Sequence, residues 1–145
     1  MSSYTHVIVG LDLSSESKQI MEKAKFLAES SNAKLSVAHI IEPLLFTYGG
    51  DIPMDISSIQ DQIHTQAKID LQKIGDEFGI EQENQHISIG QPATELHELA
   101  AKEKADLIIV GSHGRHGLSL ILGSTSNSVL HGSHCDVLAV RVNQG

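Results

Sequence analysis

The residues best placed to do chemistry lie in "GSHGRHGLSLILGSTSNSVL", positions 111–130. There Gly111, Gly114, Gly117 and Gly123 fall within thirteen residues, directly after the apolar run "DLIIV". Such a run reads as a buried strand, and glycine after a strand marks a tight turn or a close approach of bare backbone to another group. Successive main-chain N–H groups in a glycine-rich turn form a concave nest for phosphate oxygens. Gly123-Ser124 then opens a short helical stretch, "STSNSVLHG", whose first N–H groups are unpaired and carry partial positive charge. Ser124, Thr125 and Ser126 add hydroxyl donors. The chemistry on offer is anion holding, with a phosphate chain between the nest and the helix start. A plain strand-to-helix turn is the alternative, but one turn rarely needs four glycines.

Two common phosphate motifs do not fit. A P-loop needs Gly-Lys-Ser/Thr, and no lysine follows Lys104. The fingerprint G-x-G-x-x-G follows a first strand, whereas Gly111, Gly114 and Gly117 recur every third residue after a later one. Charge on a triphosphate would fall to a divalent ion, Arg115 and backbone dipoles. That suits holding a nucleotide better than fast phosphoryl transfer, which relies on placed cations and a positioned nucleophile. No general base stands out, so any hydrolysis is expected to be slow and the chain reads as a binder rather than an enzyme.

Other reactive residue types carry less. His113, His116, His131, His134 and Cys135 are zinc-ligand types, but nothing in their spacing makes them converge. Nine histidines in all read most simply as surface polarity. Cys135 is the only cysteine, so no internal disulfide is possible, and it reads as a small, partly buried residue without an activating base. Ser14, Ser15 and Ser17 read as capping residues, and no G-x-S-x-G elbow occurs. Asp12 ends an apolar run and reads equally as a carboxylate favoured by a helix dipole or as a ligand group. A receiver-type phosphate-accepting aspartate would follow a third strand, and "SIGQP" has none.

The elements that must position these residues alternate regularly. "THVIVGLD" (5–12) reads as a first strand. "SSESKQIMEKAKFLAESS" is a helix with Ile20, Ala24, Leu27 and Ala28 on one face, Ser14 or Ser15 as cap, and Asn32 as its end. "KLSVAHII" (34–41) is a second strand. The stretch 42–55, with two prolines and Gly49-Gly50, breaks the rhythm. A long helix follows, with Ile56, Ile59, Ile63, Ala67, Leu71 and Ile74 at helical spacing and Gly79 as its stop. "ENQHISIG" (83–90) is a third strand, Pro92 opens the next helix, "DLIIVGS" is a fourth strand and "DVLAVRV" (136–142) a fifth.

Strands alternating with helices predict a parallel sheet covered on both faces. Right-handed crossovers leave two natural orders, 2-1-3-4-5 and 3-2-1-4-5. In the second, the winding reverses between strands 1 and 4, and ligands bind outside the carboxyl ends of the strands at such a reversal. The glycine stretch falls there together with "GLDLSSES", so 3-2-1-4-5 is preferred: a doubly wound α/β domain over residues 1–145.

Bulk properties narrow the class. The chain has 145 residues, is 40% hydrophobic and carries a formal net charge of −8. No Lys/Arg cluster offers a nucleic-acid footprint. No apolar run is long enough to span a bilayer, and "MSSYTHVIVGLD" lacks the pattern of a signal peptide. A cytoplasmic location is expected.

On "VIVGLDLSSES", "AKLSVAHII", "IGQPATEL", "DLIIVGSHGRHGLSLILGST" and "CDVLAV" the chain resembles the universal stress protein family over nearly its whole length, most specifically in the last third. The resemblance implies a five-stranded parallel sheet and a homodimer through the strand at 136–142. One branch of that family binds ATP through Gly-x2-Gly-x9-Gly-Ser/Thr; another lacks these glycines and does not bind it. Gly111, Gly114 and Gly123-Ser124 match, with eight residues rather than nine between Gly114 and Gly123. Asp12-Leu13-Ser14 stands where the binding branch usually has Asp-Gly-Ser. By resemblance, Asp12 takes the ribose or metal end of Mg-ATP and the backbone around Ile40 meets adenine. Gly111, Gly114, Gly123 and Ser124 hold phosphates, with Ser14, Arg115, Thr125 and Ser126 beside them, and Leu13 narrows the ribose site. The stretch 42–55 is either a second contact surface or a lid over adenine. The expected function is a dimeric, nucleotide-dependent stress regulator acting on an unknown protein partner. The alternative is a dimeric interaction protein with a vestigial glycine loop. An adenylyl-transferring enzyme would carry a His-x-x-His-like signature near the first strand, which "HVIVGLDLS" lacks.

Overall fold

The computed structural model describes residues 4–43, 56–111 and 135–141. Five strands form one parallel sheet in the order 3-2-1-4-5. They are β1 (His6–Gly10), β2 (Lys34–Ile41), β3 (Gln85–Ile89), β4 (Leu107–Gly111) and β5 (Asp136–Val140). Every neighbouring pair is parallel, with Val9 level with Val37 on one side and Ile109 on the other. Helices α1 (Ser17–Ser31), α2 (Ile56–Glu77) and α3 (Pro92–Lys102) connect them. The sheet is therefore the doubly wound one the alternation predicts, with its reversal between β1 and β4.

Strand side chains alternate between two apolar layers. Val7, Val9, Leu11, Val37, Leu107 and Ile109 pack against Ile20, Met21, Ala24 and Ala28 of α1 and Leu71 of α2. Ile8, Ala38, Ile108 and Val110 pack against Leu96 and Ala100 of α3. Burial on both faces explains why β1 and β4 are continuous apolar runs rather than alternating ones. Gly10 lets α3 come close: a Cβ there would lie 3.0 Å from Leu96 Cδ2.

The helix ends follow local chemistry. Asn32 closes α1 in the left-handed conformation, φ 56°, with its N–H reaching the carbonyls of Ala28 and Glu29. Gly79, φ 72°, follows α2, and Pro92 opens α3. The start of α1 differs from the expectation that Ser14 or Ser15 caps it. The cap position is Glu16, which makes no side-chain capping bond to the helix, and Ser14 lies in the preceding turn, where its Oγ accepts from Glu16 N–H at 3.3 Å and its C=O from Ser17 N–H at 3.1 Å. Several strands are also shorter than the stretches read from the sequence: β1 stops at Gly10, β3 starts at Gln85 after a 3-10 turn over Gln82–Asn84, and β4 is Leu107–Gly111.

At the amino end of the sheet several polar groups bond to one another. The Asp106 carboxylate accepts from Thr5 N–H (2.9 Å), the Thr5 hydroxyl (3.1 Å) and His6 N–H (3.0 Å). Burial pulls its pKa upward, but these bonds outweigh that and hold the carboxyl below its ordinary range. His6 is buried, with Nδ1 3.1 Å from the Glu103 carbonyl and Nε2 2.7 Å from the Ser36 hydroxyl. The Tyr4 hydroxyl donates to Asp136 at 2.7 Å, tying the chain start to β5.

The reading of histidines as surface polarity is corrected here. All five described ones, His6, His39, His64, His86 and His97, are buried or half-buried. Burial pushes His86 below the ordinary imidazole range, against the pull of the Glu103 carboxylate 3.8 Å away, and burial does the same to His97.

Candidate functional site

The carboxyl end of the sheet is built differently. By register, Leu11 stands level with Gly111 of β4 and with His39 of β2. Asp12, Leu13 and Ser14 follow Leu11 in the loop to α1. Asp12, Ile40 and Gly111, three residues singled out from the sequence, are thus gathered at the ends of three adjacent strands. Gly111 is buried and pairs with Val140; Asp12 is half-buried and Ser14 exposed. Gly114, Arg115, Gly123, Ser124, Thr125 and Ser126 lie outside the described residues, as do the short helix expected there, the stretch 44–55, and His113, His116, His131 and His134.

The loop after β1 is held in a defined shape. Asp12 Oδ1 accepts from Ser14 N–H at 3.0 Å, closing a turn across Leu13. Leu13 occupies the left-handed region, φ 59°, which suits glycine and costs a branched side chain about 1–2 kcal/mol. Its side chain packs against the core layer of α1. The backbone therefore takes the shape an Asp-Gly-Ser loop would favour, and the leucine body is stored in the protein.

Beside it, the β1–β2 ladder stops early. Leu11 N–H still donates to Ala38 C=O at 2.9 Å. In a continuing parallel ladder the Leu11 carbonyl would next accept from Ile40 N–H. Instead it faces His39 Nδ1 at 2.7 Å, and β1 has ended at Gly10. Main-chain direction alternates along a strand, and Ile41 C=O points the other way, to Gly90 N–H at 2.9 Å. The main-chain groups of Ile40 are turned toward β1, one step past its last paired residue, Gly10. His39 was missed in the sequence reading, because its position opposite Leu11 depends on strand register.

Cavity size is no guide to this site. A cleft of about 490 Å³ lies between the ends of α1 and α2, lined by Lys25, Glu29, Phe78 and Asn84 among others, away from the strand reversal. We favour the reversal because the paired strand ends and the unladdered backbone converge there. Among the described residues no group of three or more His, Cys, Asp or Glu is placed to hold a metal ion. Cys135 is in no disulfide and lies half-buried before β5.

A doubly wound parallel sheet whose winding reverses between β1 and β4 defines a class of α/β domains that take ligands at that reversal. Comparison with known proteins narrows it: the model of the universal stress protein family matches residues 3–141, and the chain belongs to that family. It is 40% identical over 144 residues to universal stress protein A homolog 2 of Coxiella burnetii, covering 98% of each chain. Homolog 1 of the same organism is 38% identical over 138 residues, covering 94% of this chain and 96% of its own. Among solved structures, a universal stress protein in complex with cAMP is 29% identical, with a TM-score of 0.64 and coverage of 97% and 98%. UspA from Lactobacillus plantarum shares the fold, with a TM-score of 0.72, 20% identity and coverage of 99% and 100%.

Proposed function

We propose that this chain binds an adenine nucleotide, ATP with Mg, at the carboxyl ends of β1, β2 and β4, and acts in the cytoplasm as a dimeric regulator of the stress response. The observation that carries the reading is the main chain of Ile40, turned toward the β1 side of β2 just past the last β1–β2 pair, Gly10 with Ala38. A purine edge presents a donor and an acceptor of the same kind. The Asp12 carboxylate uses one oxygen on Ser14 N–H, and the other is assigned to a ribose hydroxyl or the metal. Gly111, Gly114, Arg115 and Gly123 to Ser126 are assigned to the phosphates. That a similar universal stress protein is known in complex with cAMP supports an adenine nucleotide as the ligand. No general base is identified, so turnover is slow at most and the output is conformational.

The dimer is assigned to β5. It is an edge strand with Val137 and Leu138 each 37% exposed, and such an edge invites pairing. No described helix is long and apolar enough to cross a membrane.

The rival reading is an interaction protein with a vestigial loop, and Leu13 in the glycine-like position of the first loop favours it. Purified protein tested for acid-releasable nucleotide, then melted with and without Mg-ATP, separates the two. Ligand at 100 times Kd stabilises by about 2.7 kcal/mol, a rise in Tm of roughly 5–10 °C. No released nucleotide and no shift favour the interaction protein. Gly114→Val is expected to weaken Mg-ATP at least about tenfold, or roughly 1.4 kcal/mol, with folding intact. Unchanged affinity contradicts the phosphate assignment.

A further inference from the structure

We infer that His39 is the positioning residue of the adenine edge: its imidazole takes the Leu11 carbonyl that the β1–β2 ladder would otherwise claim, and so keeps the main-chain groups of Ile40 open for a base. The inference rests on the proposed nucleotide reading and names the residue that makes the site available.

The register leaves little choice about what competes. Gly10 is level with Ala38, so Leu11 is level with His39. Leu11 N–H already donates to Ala38 C=O at 2.9 Å, which is half of the next ladder rung. The other half would be Ile40 N–H donating to Leu11 C=O. Were it made, β1 would extend by a residue and the Ile40 N–H would be consumed inside the sheet. The 2.7 Å contact from His39 Nδ1 stands in its place. The Leu11 carbonyl can only accept, so the imidazole donates here with its proton on Nδ1.

The contact has a second effect. Leu11 precedes Asp12, whose carboxylate shapes the turn through Leu13 to Ser14. Fixing the Leu11 carbonyl therefore fixes both the β2 backbone that would meet a base and the loop that would meet a ribose. Such preorganisation lowers the ordering cost of binding. A leucine at position 39 keeps comparable bulk without the donor. An asparagine places an amide N–H where Nδ1 stands, whereas a glutamine places it farther out.

Three probes separate this role from a merely structural one: Mg-ATP, Mg-tripolyphosphate, which has phosphates but no base, and the thermal melt of each variant. His39→Leu is expected to weaken Mg-ATP at least about tenfold and leave Mg-tripolyphosphate within about twofold, with His39→Asn restoring most of the ATP affinity. If His39→Leu does not fold, the contrast between His39→Asn (near wild type) and His39→Gln (weakened for ATP only) carries the test. Equal weakening of both ligands, or no weakening of either, overturns the role of His39 while leaving nucleotide binding standing. A wild-type protein that binds neither ligand overturns the nucleotide reading itself, and this inference with it.

Discussion

The two ends of the sheet solve the same problem in opposite ways. Each must dispose of main-chain N–H and C=O groups where the strands stop. At the amino end the protein does so itself: Asp106 collects Thr5 and His6, and His6 bridges the Glu103 carbonyl and the Ser36 hydroxyl. At the carboxyl end a side chain, His39, ends the β1–β2 ladder one rung early, and the next loop is bent through a left-handed Leu13. The amino end is tied by its own side chains, and the carboxyl end is the one to which binding is proposed.

Breaking the amino end is expected to have the largest effect. His6→Ala removes a buried ring and strands the Ser36 hydroxyl, which is fully buried. A loss of about 2–4 kcal/mol in urea unfolding is expected, with ligand affinity at the far end unchanged once the protein is folded. Asp106→Ala deletes the acceptor of three bonds, and about 1–2 kcal/mol should go in the same assay. If either variant altered ligand affinity without altering stability, the division between the ends would be wrong.

The carboxyl end should respond differently. Leu13→Ile places a β-branched side chain at φ 59°. It should cost about 1 kcal/mol and weaken nucleotide binding, because the turn that carries Asp12 must shift. Leu13→Gly relieves the backbone but gives up the contact with the core layer of α1, so its stability should stay within about 1 kcal/mol of wild type. Unfolding titrations and Mg-ATP affinities on the same two proteins check both statements.

The smallest expected effect is on pH dependence. Burial lowers the pKa of both His86 and His97, so the unfolded chain binds more protons as the pH falls through the imidazole range. Their contribution to stability is present above that range and is lost as the pH drops from about 7.5 toward 5.5. The paired variant His86→Gln, His97→Gln should flatten that slope, and an unchanged slope would place its origin elsewhere. Asp106 acts lower: its depressed pKa gives stability at neutral pH that is lost as the carboxylate is protonated in acid.

The strand order was legible in the sequence because continuous apolar runs, helical periodicity and a glycine stretch at the expected reversal agreed with one another. The ends of α1 and α2 were legible from Asn32 and Gly79, where backbone shape demands a particular residue. What could not be read depended on pairing across distance. His6 finds Ser36 thirty residues away, so it looked like surface polarity when it is core. Ser14 looked like a helix cap, but the Asp12 turn draws it into the loop before the helix. That the side chain of Leu13 packs against the core layer while its backbone keeps a glycine-like shape was not legible either. His39 carried no signal at all, since nothing in "VAHII" reveals which carbonyl lies opposite.

A titration of ¹⁵N-labelled protein with Mg-ATP, followed by amide chemical shifts, tests the division between the two ends most directly. Shifts concentrated at Leu11 to Ser14, Ile40 and Gly111, with Thr5, His6, Glu103 and Asp106 unmoved, are the expected result. Shifts centred on the Asp106 end, or none at saturating nucleotide, would contradict it.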